Sequence, residues 1–146
     1  MTWTNEQATA PAGPVTPFEA LGGEPMVRAV CARFYELMDS LPEAVACRRI
    51  HPASLERARE KLFEYLTGWL GGPPLYTSKY GHPRLRQRHL HAPIGREEID
   101  AWLLCFHRAW AEVVPASTLA SEVLTRINAL ARHMGNHPPG PAQAAP

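Results

Sequence analysis

Gly81-His82-Pro83-Arg84-Leu85-Arg86-Gln87-Arg88-His89-Leu90-His91-Ala92-Pro93 sets a histidine among arginines at a helix end, just before an amphipathic helix containing Trp102. An imidazole offers a neutral ring nitrogen to a metal, and guanidinium groups offer fixed positive charge to an anion. The stretch therefore predicts a site for a cofactor that is metallic and anionic at once. Leu85 and His89 stand four residues apart, so in a helix they share a face and the leucine lies against whatever His89 points at.

Outward from this stretch, apolar residues recur at helical spacing and no segment keeps a period of two, so the domain reads as all-α. Thr16-Pro17-Phe18-Glu19 combines an N-cap hydroxyl, a first-position proline and a glutamate three after the cap; Gly22-Gly23 stops that very short helix. Pro25 opens a helix whose stripe is Met26, Val27, Val30, Phe34, Leu37 and Met38, with Tyr35 at its edge, continuing to about Ser40. Pro42 and Pro52 bracket a compact connection. Ser54 can cap a helix with Leu55, Ala58, Leu62, Tyr65, Leu66 and Trp69 inward, ended by Gly71-Gly72-Pro73-Pro74. The segment from there to Gly81 has little periodicity and reads as a loop with short turns. A brief helix around Arg84 to His89 leads through Pro93 into a longer one presenting Ile99, Trp102, Leu103, Phe106, Trp110 and Val113 to the core. Ser117 can cap the last, with Ala120, Val123, Leu124, Ile127, Leu130, Ala131 and Met134 inward. Four substantial helices result. Residues 1–15 and 135–146 are rich in Pro, Ala, Gly and Gln with few large apolar groups and read as tails, which leaves 16–134 as the domain.

The 146 residues suffice for one core plus a ligand, and the net charge of +1 provides no basic field for nucleic acid or an anionic membrane. No run approaches the roughly 18 apolar residues of a membrane span, and no basic-then-apolar leader is visible, so a cytoplasmic protein is expected. Cys31, Cys47 and Cys105 are odd in number and fall in helical segments, which suits reduced, buried thiols better than a disulfide framework.

Haem meets the description of a metallic anion: its iron takes an imidazole nitrogen and its propionates take cations or hydroxyls. Without a Cys-x-x-Cys-His sequence the cofactor would be haem b, held non-covalently. Local sequence leaves two other readings of the histidines open. His89 can be a surface histidine in a basic turn, or His82, His89 and His91 can be parts of a zinc site, although no Cys-x-x-Cys or His-Glu-x-x-His accompanies them.

Taken together, Phe18-Glu19-Ala20-Leu21-Gly22-Gly23, Arg33-Phe34-Tyr35, Trp69-Leu70-Gly71-Gly72-Pro73, the histidine preceded by Leu85-Arg86-Gln87-Arg88 and Asp100-Ala101-Trp102-Leu103 resemble the truncated haemoglobins, group II most closely. The resemblance runs from Thr16 to Met134 and implies a two-over-two helical sandwich around haem. It implies that His89 is the proximal iron ligand, that Arg88, Tyr76 and Lys61 meet the propionates, and that Leu85 packs on the proximal side. On the other face it places Tyr35, Ala58, Leu62 and Trp102, with Tyr65 and Phe63 nearby. His51 matches a position commonly Tyr or Phe; there it donates to bound oxygen, the preferred role, or coordinates the iron as a sixth ligand. Ala58 stands where larger globins carry a distal histidine. His91-Ala92 departs from the residues that often follow the proximal histidine in relatives, which bears on proximal packing. His107 and His133 read as surface or helix-edge residues.

The implied function is reversible binding of O2, NO and CO, with Tyr35, His51 and Trp102 stabilising the ligand and slowing its escape. Slow release favours redox chemistry, such as NO dioxygenation or peroxide reduction, or sensing over bulk transport. The chain has no Gly-x-Gly-x-x-Gly motif, so turnover would need a separate reductase. A monomer or weak homodimer is expected. The contrasting reading is a cofactor-free helical interaction module in which Trp102, Tyr35 and the arginines serve packing and partner binding.

Overall fold

Thr16 opens the first helix through a reciprocal cap. Its hydroxyl accepts the Glu19 amide at 3.1 Å, the Glu19 carboxylate accepts the Thr16 amide at 3.4 Å, and Pro17 occupies the first turn. The helix, α1 (Pro17–Ala20), lasts one turn before Gly22 and Gly23, both at positive φ, redirect the chain. The computed structural model describes residues 15–89 and 92–136, and over these the chain is helical with no strand. Most of the two expected tails lies outside the described residues.

α2 (Gly23–Ser40) carries the expected stripe, buried from Met26 to Met38. A 3-10 turn (Pro42–Ala44) and α3 (Val45–Arg48) make up the compact connection. α4 (Glu56–Trp69) follows, the Ser54 hydroxyl accepting the Glu56 amide at 3.3 Å. α6 (Leu85–Arg88) is one turn, and α7 (Arg96–Val113) and α8 (Thr118–His133) close the domain. Ser117 caps α8 as expected, accepting the Ala120 amide at 3.0 Å.

The structure corrects the sequence reading between Pro74 and Gly81: the expected loop is a helix, α5 (Leu75–Tyr80). Six residues are too few to show a period, and an isolated helix of this length is not stable in water. Tertiary packing stabilises it. Tyr76 is buried, with its ring centroid 6.0 Å from that of Tyr65 on α4 and 4.7 Å from that of Tyr80 one turn on. Gly81 at φ 80 ends it.

α2 occupies the centre, packed most extensively against α7 and α4, while α8 lies against α7. Phe34 and Phe106, both fully buried, join the layers. Trp102, Phe106 and Trp110 recur every four residues along α7, and their rings stack at centroid separations of 5.2 and 5.8 Å. Phe34 meets the edges of this ladder, 4.9 Å from Trp102 and 5.9 Å from Phe106. Full burial of a ring such as Phe34 or Phe106 contributes about 1.5–3 kcal/mol by leaving water. At the end of α4 the backbone must come close to α1: a Cβ on Gly72 would lie 2.8 Å from Cγ of Phe18, and one on Gly71 2.9 Å from Cβ of Thr16. The Phe18 amide bonds the Leu70 carbonyl there at 2.9 Å.

Cys31, Cys47 and Cys105 are free and buried, as expected of reduced thiols. Glu64 on α4 is also buried, an environment its charge did not suggest. Its Oε2 accepts from the Lys79 ammonium on α5, and the pairing raises the Lys79 pKa. Glu64 Oε1 and Thr67 Oγ1 have no hydrogen-bond partner among the described residues. No described helix is long and apolar enough to cross a membrane.

Candidate functional site

His89 immediately follows α6, where the helix leaves its last carbonyls without intrahelical partners. Its amide bonds the Leu85 carbonyl at 3.1 Å, and Nδ1 of its ring lies 2.7 Å from the same oxygen. A carbonyl only accepts, so Nδ1 carries a proton, and in the neutral ring the lone pair is therefore on Nε2. Such a backbone bond on the far nitrogen fixes ring orientation and tautomer in metal-ligating histidines. Leu85 thus supplies both the half-buried side chain on the His89 face and the oxygen that orients the imidazole. The turn is entered through Arg84 in the left-handed region, at φ 44, with its amide donating to His82 Nδ1 at 3.1 Å. Arg88 ends α6, but its side chain lies outside the described structure, as does His91. Among the described residues no three His, Cys, Asp or Glu side chains converge into a metal cluster.

His51 provides a second imidazole of the same polarity. Its Nδ1 lies 2.9 Å from the Cys47 carbonyl and must donate to it, leaving the lone pair on Nε2. Burial holds its pKa below the ordinary histidine value, the charge of Arg48 adding to the effect and the Cys47 bond opposing it. His51 is therefore neutral near pH 7. Donation from Nε2 to a ligand requires ring protonation; in the neutral ring this nitrogen can coordinate a metal or accept a hydrogen bond.

Arg48 holds the loop that carries His51. Its Nη1 donates to the Pro52 carbonyl at 2.9 Å, Nη2 to the Ala53 carbonyl at 2.8 Å, and Nε to Asp39 at 2.8 Å. Tyr35 is buried on α2, its ring centroid 6.2 Å from that of His51, with its hydroxyl donating to the Ala58 carbonyl at a long 3.4 Å. Burial raises its pKa strongly, so it stays a phenol and a donor. Phe34 lies between Tyr35 and Trp102, edge-on to both at 4.7 and 4.9 Å. Trp102 is half-buried, and its indole N–H makes no hydrogen bond among the described residues. Ala58 and Leu62 are partly buried along α4 against the same core.

A third group forms where α4 meets α5. The Lys61 ammonium lies 5.2 Å from the centre of the Tyr80 ring, which packs on Tyr76, itself against Tyr65. Lys61 and Tyr76, distant in sequence, are thus brought into one cluster. His107 and His133 stand apart from all three groups; His107 Nε2 pairs with Asn128 Oδ1 at 2.7 Å between α7 and α8.

A family profile described as bacterial-like globin matches residues 16–136. A group 2 truncated haemoglobin of Bacillus subtilis is 40% identical over 120 residues, 82% of this chain and 88% of its own length. This chain is a group II truncated haemoglobin. Among solved structures, the globin resembles the group II 2-on-2 haemoglobin of Agrobacterium tumefaciens at 53% identity and a TM-score of 0.83, covering 86% of this chain and 97% of the other. It also resembles the truncated oxygen-avid haemoglobin of Bacillus subtilis, at 39% identity and a TM-score of 0.77, covering 84% of this chain and all of the other. The two-over-two fold is established by these matches. Membership in the family implies a haem cofactor and small ligands bound at its iron.

The donor set suits that cofactor. His89 offers a lone pair on an oriented ring, Tyr35 offers an O–H and Trp102 an N–H, and Lys61 and Tyr76 combine a cation with a phenol. Sequence reasoning missed Arg48, Tyr80 and Asn136. Tyr80 follows Tyr76 by four residues, a spacing that becomes a signal only once α5 is known to be helical. Arg48 and Asn136 act on backbone carbonyls, whose positions leave no mark in a residue pattern.

Proposed function

We propose that this globin binds haem b non-covalently, with His89 Nε2 as the proximal iron ligand, and holds O2, NO or CO on the face lined by Tyr35, His51, Ala58, Leu62 and Trp102. When bound, the haem supplies an iron that takes a diatomic ligand and changes redox state. The hydrogen bond from His89 Nδ1 to the Leu85 carbonyl carries the reading, because it orients the ring and selects the neutral tautomer whose lone pair is on Nε2. Lys61, Tyr76 and Arg88 are the proposed propionate partners, with Leu85 packed beside the proximal ligand.

The Tyr35 hydroxyl is the principal donor to the ligand: its present bond to Ala58 is long and exchanges at little cost. Trp102 adds its N–H. Of the two roles for His51, the Cys47 bond supports coordination or acceptance through the Nε2 lone pair over donation. Two donors beside the ligand support slow release, in keeping with a Bacillus subtilis relative described as oxygen-avid. Slow release favours detoxification of NO or peroxide, driven by a separate reductase, over bulk carriage.

The test is a visible spectrum of the purified protein, as isolated and after dithionite with CO, beside His89→Ala. An intense Soret band that shifts with CO and is weakened in the variant is expected. A colourless protein that also fails to take up added haemin would overturn the proposal in favour of a cofactor-free interaction module.

A further inference from the structure

We infer that Asn136 is a positioning residue for the proximal ligand: its amide clamps the backbone of His89, Ala92 and Ile94 and thereby sets the direction in which His89 presents Nε2. This rests on the assignment of His89 as the iron ligand.

Four hydrogen bonds connect Asn136 to that segment. Its Nδ2 donates to the carbonyls of His89 at 3.2 Å and Ala92 at 2.9 Å, and its Oδ1 accepts the Ile94 amide at 3.0 Å. Its own amide donates to the Ile94 carbonyl at 2.8 Å. The segment needs such support. α6 has only four residues, and the His89 carbonyl is one of its orphan acceptors, met otherwise by the Ala92 amide at 3.0 Å. Carbonyls of His89 and Ala92 require donors, while the Ile94 amide requires an acceptor. A primary amide supplies both from one planar group; a carboxylate of the same shape supplies acceptors alone.

Packing brings the clamp to the segment. Ala92, Ile94 and Ile99 are buried, and a Cβ on Gly135 would come 3.2 Å from Ile99 Cδ1 and 3.8 Å from the Ile94 carbonyl oxygen. Gly135 thus lets the chain beyond α8 approach closely enough for Asn136 to reach. The His89 ring is held by the Leu85 carbonyl and its backbone carbonyl by Asn136, so ring and main chain of the same residue are both anchored.

Asn136→Ala and Asn136→Asp separate this role from simple packing. In haem-loaded protein both variants are expected to shift or broaden the iron–histidine stretching band of the reduced, ligand-free form by resonance Raman. Both are expected to speed haem loss to an apoglobin scavenger by about tenfold or more, the scale of losing an outer-shell partner of a metal ligand. Val123→Ala, in the buried face of α8, serves as a variant that lowers stability without touching the clamp. An unchanged band and haem-loss rate in Asn136→Ala would overturn the inference. So would a wild-type result for Asn136→Asp, or an equal band shift in Val123→Ala. Wild-type protein that takes up no haemin removes the haem assignment and the inference together, whereas normal uptake with indifferent variants removes the inference alone.

Discussion

Three buried thiols give this globin a steep alkaline limit to its stability. Burial pushes Cys31 and Cys47 up to about 12 and Cys105 to about 11, from an ordinary value of 9.0. Folding therefore raises each pKa, so each thiol's contribution is fully present below the unfolded value and is lost as pH rises toward the folded one. At pH 10 an unfolded cysteine is mostly thiolate while the folded ones remain protonated. The difference is about 1.4 kcal/mol per thiol and about 4 kcal/mol for the three. Typical domain stability is about 5–15 kcal/mol, so the loss is a large fraction of the total. Urea unfolding of the haem-loaded protein, followed by far-UV circular dichroism with reductant between pH 7 and pH 10, measures it. Cys31→Ala and Cys47→Ala provide the control, because the cost of a cavity does not vary with pH. The stability gap between wild type and each single variant is expected to narrow by about 1.4 kcal/mol between those pH values. Parallel wild-type and variant curves would refute the reasoning, since they would mean that the thiols ionise as easily folded as unfolded.

Tyr35→Phe removes one donor while keeping the ring, Trp102→Phe removes one while substituting a smaller aromatic ring, and each is expected to speed O2 dissociation about three- to tenfold in stopped-flow displacement by CO. Gly72→Ala drives a methyl group into the Phe18 ring and is expected to cost about 1–3 kcal/mol in urea unfolding, with Phe18→Leu recovering part of it in the double variant. Arg48→Ala releases the Pro52 and Ala53 carbonyls and is expected to cost about 1–3 kcal/mol. By loosening the loop around His51, the same change is expected to alter the six-coordinate fraction seen in the ferric visible spectrum; an unchanged fraction would separate Arg48 from His51.

How much was legible in the chain depends on the range of the interaction. The Thr16 and Ser117 caps, the stripes of α2, α7 and α8, and the Leu85–His89 pair are local and periodic, and the structure contains each; on α4 only Leu66 of the expected stripe is buried, beside Phe63, Glu64 and Thr67, and the rest of that stripe is partly buried. α5 escaped because its helicity comes from Tyr65 and Tyr76 packing across elements and not from its own six residues. Glu64 escaped for a related reason: a carboxylate on a helix reads as solvated, and only the placement of Lys79 above it reveals a buried one. The His51 tautomer required a carbonyl position, which no spacing rule supplies.

Asn136 bears on the order in which the protein is made. It follows His89 by 47 residues, yet it bonds the backbone of the proximal turn directly. During synthesis the histidine, the tyrosine and the tryptophan of the proposed site all leave the ribosome before the residue that bonds the His89 carbonyl. The residues of the proposed haem seat are thus translated well before the one that fastens its proximal turn.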